Sequence, residues 1–369
     1  MEKKFLGEKI LSSLFSSRLN VALTFNVKPE SETFLENLPP NLKKRISQQK
    51  NSADTFAEWD SWATINAVKG ALEIYHDVSL IEADYSCFGK LQEINPDIVF
   101  NIAEGFFGVG REAQVPAMLD MLQIPYSGSD PLTLATCLDK ARTKEILSYH
   151  KIPTAPFMIA DGLEAVKENK FSFPLFVKPL WEGSSKGIFT SSYVRNEKEL
   201  AEQVERIVNE YAQPALVEKF LSGREFTVAI LGNGNEARVL PIVEIEYKDF
   251  PKDFIPVYSY EAKWILDTPE KPLDVFVCPA KLDAGLESEI KKTALRAYNT
   301  LRCRDWSRID VRLDSKNVPN IIEINPLPGI LPDPKENSCY PKAARTAGIN
   351  YNDMLNRVLY AAAKRYSLV

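Results

Sequence analysis

Apolar residues recur along this chain with two periods, and the alternation of those periods divides it into blocks. Asn20 to Phe25 (NVALTF) reads as a buried strand, Ser61 to Tyr75 is apolar at helical spacing, and Val78 to Glu82 and Asp97 to Asn101 are two more short strand-like runs. Arg111 to Leu122 returns to helical spacing and leads into a strand and turn at IPYSGS, Ile124 to Ser129. Strands alternating with helices predict an α/β layer built on a mostly parallel sheet. Asn26 to Asp54 is polar, holds Pro39-Pro40 and follows neither period, which predicts a long loop or partly disordered insertion.

A second block opens near Asp130. The helical stretch Leu134 to His150 gives way at Pro153 and Pro156 to a strand, and Pro174 to Pro179, Ile188 to Tyr193, Ala215 to Phe220 and Glu225 to Leu231 follow as strands rich in β-branched and aromatic residues. The last block carries strands at Val239 to Glu246, Arg308 to Asp314 and Asn320 to Asn325, with helices at Asp283 to Leu301 and Tyr351 to Lys364. At 369 residues the chain exceeds one ordinary core. The expected units are 1–130, 131–222 and 223–369, with no internal repeat and no low-complexity tract.

Charge narrows the possible partners. A net charge of −5 leaves no basic excess, so nucleic acid is not an expected partner. No apolar run approaches the roughly 20 residues of a membrane span. Leu6 to Leu19 is interrupted by charged residues and reads as an amphipathic helix, a cleaved signal being the alternative, without a small-x-small cleavage site after it. Cys87, Cys137, Cys278, Cys303 and Cys339 are scattered, with no C-x-x-C pair, and are expected to be reduced cytoplasmic thiols.

The candidate chemistry is carried by oxygen ligands and lysines. Glu323 and Asn325 stand two residues apart in one apolar strand and therefore share a face, and a hairpin register through the turn DSKNVPN can bring Asp310 of RIDVRLD beside them. Two carboxylates and an amide suit Mg²⁺ that shares its shell with substrate phosphates. The same pattern also fits an ordinary amphipathic hairpin with polar residues facing water. Lys178 lies inside the apolar run FPLFVKP, where an ammonium is costly unless an anion pairs with it. Glu182 to Gly187 (EGSSKG) offers backbone N–H groups that can wrap a phosphate, or a plain β-turn. No Walker A string and no G-x-G-x-x-G after the first strand is present, which disfavours P-loop and Rossmann chemistry. His76 and His150, at a helix-to-strand junction and a helix end, are expected to cap or face solvent.

Taken in order, DKARTK, FPLFVKP, EGSSKG, LVEKFLSGREFTVAIL, YEAKW, RIDVRLD and EINPLPG resemble the ATP-grasp superfamily, and within it D-alanine:D-alanine ligases, from about Pro96 to the C-terminus. The resemblance implies three domains with ATP between the central and C-terminal sheets. It implies that Lys140 and Lys178 contact phosphates, that Glu218, Lys219, Phe220 and Leu221 hold adenine through the backbone, and that Glu225 binds ribose. Ser184 and Ser185 match the serine-bearing loop, with Ser185 in the catalytic set, and Lys263 matches the lysine of a closing loop. Arg308 matches the residue that stabilises the transferring phosphoryl group, with the Gly329 amide as an oxyanion donor, and Asp310, Glu323 and Asn325 match the ligands of two Mg²⁺ ions, with Mn²⁺ as a substitute. The implied reaction joins a carboxylate to an amine through an acyl phosphate, on small amino-acid or peptide substrates, in a homodimer.

The departures from the family pattern fall on the amino-acid pocket. NVALTFNVKPESETF lacks the glycine-rich turn and its Ser-Glu pair, leaving Glu30 or Glu32 as displaced substitutes. Glu104 in NIAEG stands where the family has histidine, GVGREAQ replaces E-D-G and leaves Arg111 and Glu112 nearby, Trp264 replaces a tyrosine, and ILPDPKENSCYP is longer than its counterpart. ATP chemistry with an altered substrate is the expectation. A ligase for another amino acid or peptide, a variant that stops at the acyl phosphate and a catalytically idle nucleotide-binding homologue stay open at this point.

Overall fold

Strand β1 (Asn20–Phe25) is the centre of a three-stranded parallel sheet, and burial on both faces explains why its apolar residues do not alternate strictly with polar ones. The chain, a computed structural model describing residues 15, 17–29, 54, 56–105, 107–248, 257 and 275–369, continues through α1 (Trp62–Glu73) to β2 (Asp77–Glu82), α2 (Cys87–Ile94) and β3 (Ile98–Asn101), giving the order β2-β1-β3. Ser61 caps α1, its hydroxyl accepting from the Thr64 N–H. A 3₁₀ turn at Arg111–Ala113 precedes α3 (Gln114–Leu122), while IPYSGS contributes only a bridge between Val99 and Tyr126 instead of a strand. Most of Asn26 to Asp54, most of Leu6 to Leu19, and Glu30, Glu32, Lys263 and Trp264 lie outside the described residues.

The expected helix Leu134 to His150 is two helices, α4 (Pro131–Leu138) and α5 (Lys140–Tyr149). Asp139 breaks them by adopting an extended backbone (φ −80°, ψ 99°), and its carboxylate accepts from the Arg142 N–H at 2.9 Å to start the second. Beyond lie β4 (Phe157–Ala160), α6 (Leu163–Lys167), β5 (Leu175–Pro179), β6 (Tyr193–Val194), α7 (Glu197–Tyr211) and β7 (Ala215–Lys219), whose strands form a sheet ordered β4-β7-β5-β6. The strand expected over Ile188 to Tyr193 is reduced to the two residues of β6. Thr190–Ser192 is a 3₁₀ turn instead, because the Ser192 hydroxyl accepts from the Phe189 N–H at 3.1 Å and diverts the backbone from the ladder.

The third sheet holds β8 (Glu225–Leu231), β9 (Arg238–Val239), β10 (Val243–Ile245), β11 (Phe276–Val277), β12 (Trp306–Leu313) and β13 (Pro319–Asn325), ordered β11-β10-β8-β12-β13 with β9 on β8. The expected single strand Val239 to Glu246 is split, since Pro241 has no N–H to donate to a ladder. Helix α8 (Ala284–Thr300) covers this sheet with Ile290, Ala294, Ala297 and Tyr298 in one buried cluster with Val228, Ile309 and Ile324. The last helices, α9 (Cys339–Thr346) and α10 (Tyr351–Arg365), return to the first sheet. Met354, Leu355, Val358 and Leu359 join Val21, Leu23, Ile65 and Leu72 in a shared core, and the Asn356 amide donates to the Ala71 carbonyl of α1 at 2.8 Å.

All five cysteines are free thiols. His150 caps α5, whereas His76 is fully buried, packed edge-on to Phe15 at 4.4 Å, which corrects the expectation of a solvent-facing or capping side chain. Burial, then the Arg18 guanidinium, hold its imidazole down to about 4 against the partial opposition of Asp77. The unfolded chain therefore binds more protons than the folded one between about 4 and 6.5, and stability falls as the pH drops through that window. The variant His76→Gln, which cannot titrate, is expected to flatten the fall in denaturation midpoint between pH 7 and pH 5; a slope equal to the parent's places the acid lability elsewhere.

Candidate active site

The cavity between the four-stranded and six-stranded sheets has a volume of about 260 Å³ and collects charged residues from both. Strand alternation accounts for the pairings. In β12 and β13, Asp310 lies opposite Glu323 and Arg308 opposite Asn325, with a register irregularity after Asp310. The Asn325 amide donates to Asp310 Oδ2 at 3.3 Å, and Arg308 donates to both Asp310 oxygens at 3.1 Å. The hairpin thus brings the three expected oxygen ligands together on one face. Among the described residues there is no group of three His, Cys, Asp or Glu that could hold a metal ion; the set here is two carboxylates and one amide.

From the facing sheet, β5 presents Lys178 and β7 presents Glu218, adjacent strands whose ladder pairs Phe176 with Glu218. Glu218 lies between two buried ammoniums, Lys178 Nζ at 2.8 Å and Lys144 Nζ at 2.8 Å. Burial alone would raise the Glu218 carboxyl; the two lysines outweigh it and hold the group down to about 2. Burial opposes charge on Lys178 as well, and Glu218 followed by Glu323 overcomes it, whereas Lys144 is lowered by burial despite its Glu218 partner. Lys144 did not figure among the expected site residues. Its position one helical turn after Lys140, on the same face of α5, is the signal that could have found it.

Lys140, at the start of α5, reaches Glu323 at 2.8 Å and donates to the Glu182 carbonyl. Burial would raise Glu323, but Lys140 and Lys178 keep it ionised and lowered. Burial likewise works against the Arg308 charge, and Asp310 more than restores it. Glu225, at the first position of β8, accepts from Tyr247 Oη at 2.8 Å and from Arg312 at 2.9 Å, and burial raises it. The Phe220 ring sits under the Arg312 guanidinium at 4.8 Å and edge-on to Tyr193 at 4.8 Å. The Lys219 N–H donates to Pro156 O at 2.9 Å and the Phe220 N–H to Pro174 O at 3.3 Å, so these two amides are engaged within the protein. Leu221 and Gly329 line the same cavity.

The loop EGSSKG borders this cavity with Ser184 and Ser185 in left-handed conformations, φ 49° and 61°. Gly187 ends it at φ 75°, and a Cβ there would lie 2.4 Å from Pro179 Cγ, so no other residue fits without displacement. The segment before α1 clamps the loop. Asp54 accepts from the Gly187 N–H at 2.9 Å and from Tyr211 Oη at 2.8 Å, and Glu58 accepts from the Gly183 N–H at 2.8 Å and from Arg111 at 2.5 Å. Neither Asp54 nor Glu58 was expected at the site. Asp54 ends the aperiodic stretch Asn26 to Asp54 and Glu58 follows it, and only tertiary contact places them at the site.

Beyond Lys140 the cavity turns acidic. Glu104 and Glu112 line it with Glu58, Asp60 and Lys28. Burial first, then Glu112 and Glu58, push Glu104 far above the usual carboxylate range; burial pushes Glu112 up to about 7 and Asp60 up to about 7, in the last case against the pull of Lys28. Gly105 is obligatory beside them, since at φ 71° a Cβ would lie 2.6 Å from the Arg111 carbonyl oxygen.

A family model described as D-ala D-ala ligase C-terminus matches residues 147–360. The chain is 35% identical over 319 residues to an uncharacterized protein, y4sG, of Sinorhizobium fredii, covering 84% of this chain and 90% of that one. It is 32% identical over 313 residues to a D-alanine–D-alanine ligase of Pelotomaculum thermopropionicum, covering 82% and 92%. In fold it is similar to the D-alanine–D-alanine ligase of Bacillus anthracis, solved in complex with ATP, with a TM-score of 0.67 at 23% identity over 96% of this chain and 99% of that one. With a cavity flanked by two sheets, and with matches of this extent in both sequence and fold, the chain belongs to the D-alanine–D-alanine ligase family.

Proposed function

We propose that this protein is an ATP-dependent ligase that activates a carboxylate as an acyl phosphate and joins it to an amine, in the manner of D-alanine–D-alanine ligases. The observation that carries the reading is the convergence of Lys140, Lys178 and Arg308 with Asp310, Glu323 and Asn325 in one cavity between two sheets. An idle binding fold has no physical need for so many buried charges, each costly to desolvate. The units 1–130, 131–222 and 223–369 then form an amino-acid-facing part and two nucleotide-clasping parts.

In this reading the nucleotide enters between β7 and β12–β13. Glu225 receives the ribose, and the Glu218–Leu221 stretch flanks the base with its carbonyls and the Leu221 amide. Lys140 and Lys178 exchange part of their present pairing with Glu323 and Glu218 for phosphate oxygens. Asp310, Glu323 and Asn325 fit Mg²⁺ by their donor chemistry, and bound ions would neutralise phosphate charge there. An oxygen of the substrate carboxylate attacks the γ-phosphorus, the bond to ADP breaks, and Arg308 holds the charge on the transferring group. The incoming amine then attacks the acyl carbonyl, the Gly329 N–H receives the developing oxyanion, phosphate leaves and the amine proton is lost. The Ser184–Ser185 loop, held by Asp54 and Glu58, orients the acyl end. Lys263 belongs to the segment that would close over the phosphates to exclude water. On the family resemblance the enzyme is assigned to the cytoplasm and to a homodimer; among the described residues no helix is long and apolar enough to cross a membrane.

The test is ATP-dependent phosphate release in the presence of Mg²⁺ across D- and L-amino acids, singly and in pairs, with mass detection of the condensed product. A condensed product formed with stoichiometric phosphate supports the ligase. Phosphate release without any condensed product would assign a carboxylate kinase, and ATP binding without release would assign an idle nucleotide-binding protein.

A further inference from the structure

The acidic end of the cavity holds more carboxylate than its cations neutralise. Arg111 is fully engaged, donating to Glu58 at 2.5 Å and to the Trp181 carbonyl at 2.7 Å and lying 3.5 Å from Glu182. Lys186 is held by Glu182 at 3.0 Å and Lys140 by Glu323 at 2.8 Å. Glu104, following β3, and Glu112, in the 3₁₀ turn before α3, make no hydrogen bond or ion pair with any of the described residues, yet both line the cavity. Glu112 is only 8% exposed. Burial raises both carboxyls, so each is held toward its neutral form until a cation from outside the protein lets it ionise. Glu112 is buried and Glu104 part-buried, and both line the cavity together with Lys140 and Glu323, so the two carboxyls can take up two positive charges.

Resting on the ligase reading above, we propose that Glu104 and Glu112 form a cation subsite for the amino-acid substrate, and that this substrate is a basic amino acid, whose α-ammonium and side-chain ammonium or guanidinium engage the two carboxylates. The pair lies beside Glu323, so a substrate anchored there by its cationic groups can turn its carboxylate toward the phosphoryl-transfer residues. A neutral amino acid would ionise and pair one carboxyl only, whereas a basic one pairs both, and that extra charge pair is the device that discriminates.

The experiment compares lysine and ornithine with their neutral isosteres norleucine and norvaline, each in both enantiomers, as stimulants of phosphate release from ATP and Mg²⁺. The expected kcat/KM favours the basic member of a pair by about thirtyfold, the scale of one charge-assisted hydrogen-bonded pair that the neutral isostere cannot make. In Glu104→Gln and Glu112→Gln that ratio falls toward one while the dissociation constant for ATP holds, which a merely structural role would not produce. Equal or better use of the neutral isosteres by the parent protein overturns the proposal. If no amino acid stimulates release, the ligase reading fails, and calorimetric titration of lysine and norleucine into the ATP-loaded protein decides the subsite separately: selective lysine binding lost in Glu112→Gln sustains it, and no selectivity overturns it.

Discussion

Glu323→Ala is expected to lower ATP-dependent phosphate release by about 10³-fold. Phosphoryl transfer draws its acceleration from positioning and charge neutralisation, and ion-mediated stabilisation of the developing charge supplies several kcal/mol, each 1.36 kcal/mol being about tenfold in rate. Glu323 is central to that arrangement in this chain. It lies opposite Asp310 across the β12–β13 ladder and anchors Lys140 at 2.8 Å, so its removal disturbs both the oxygen ligands and a phosphate-facing lysine. Initial rates across a Mg²⁺ series check this, with circular dichroism to establish that the variant is folded. Activity within about tenfold of the parent at ordinary Mg²⁺ would remove Glu323 from the proposed chemistry.

The second large effect concerns stability. Glu218→Ala leaves Lys144 and Lys178 buried, 1% and 3% exposed, without their shared carboxylate. Removing one member of a buried ionic group costs about 3–5 kcal/mol, because the uncompensated charge stays in the low-dielectric interior. The midpoint of chemical denaturation is therefore expected to fall sharply, and saturating ATP is expected to restore part of the loss, since phosphate oxygens would supply the missing anion near Lys178. Replacing all three residues by apolar ones of similar volume is expected to be far less harmful to stability while eliminating nucleotide binding. An unchanged midpoint for Glu218→Ala would mean that solvent reaches these lysines.

Glu218 also illustrates how the site was divided between sequence and structure. The motif LVEKF placed it at the nucleotide, but its backbone was the expected contact; the side chain proves to be the bridge between two lysines, one of them, Lys144, outside the expected set. A short apolar strand specifies which residues alternate across a sheet, not which charges meet from the neighbouring strand and helix. The hairpin of Asp310, Glu323 and Asn325 was legible because strand alternation and a short connection determine its faces almost alone. Lys263 lies outside the described residues, and its role rests on the resemblance.

Among the elements, buried strands such as Asn20–Phe25 and Glu225–Leu231 were readable to the residue, since burial on both faces concentrates apolar and β-branched residues in one short run. Helix α7 has no counterpart among the expected elements, although Leu200, Val204, Ile207 and Tyr211 mark its buried face at helical spacing. The loss of the strand at Ile188 to Tyr193 was different in kind. There a serine hydroxyl competed with the ladder for a backbone N–H, a choice that composition does not record.

The sequence by itself therefore determined the α/β alternation, the family and the oxygen-ligand hairpin, all of which depend on local periodicity and on ordered short motifs. Only the tertiary structure decided that Asp54 and Glu58 clamp the EGSSKG loop, that Arg111 is consumed by Glu58 and that Glu104 and Glu112 are left unpaired in the cavity. Those outcomes turn on which charges the fold brings within a few ångströms of one another across more than fifty residues of chain, as in the 53-residue separation of Arg111 from Glu58, and electrostatic pairing at such separations leaves no periodic trace in the sequence.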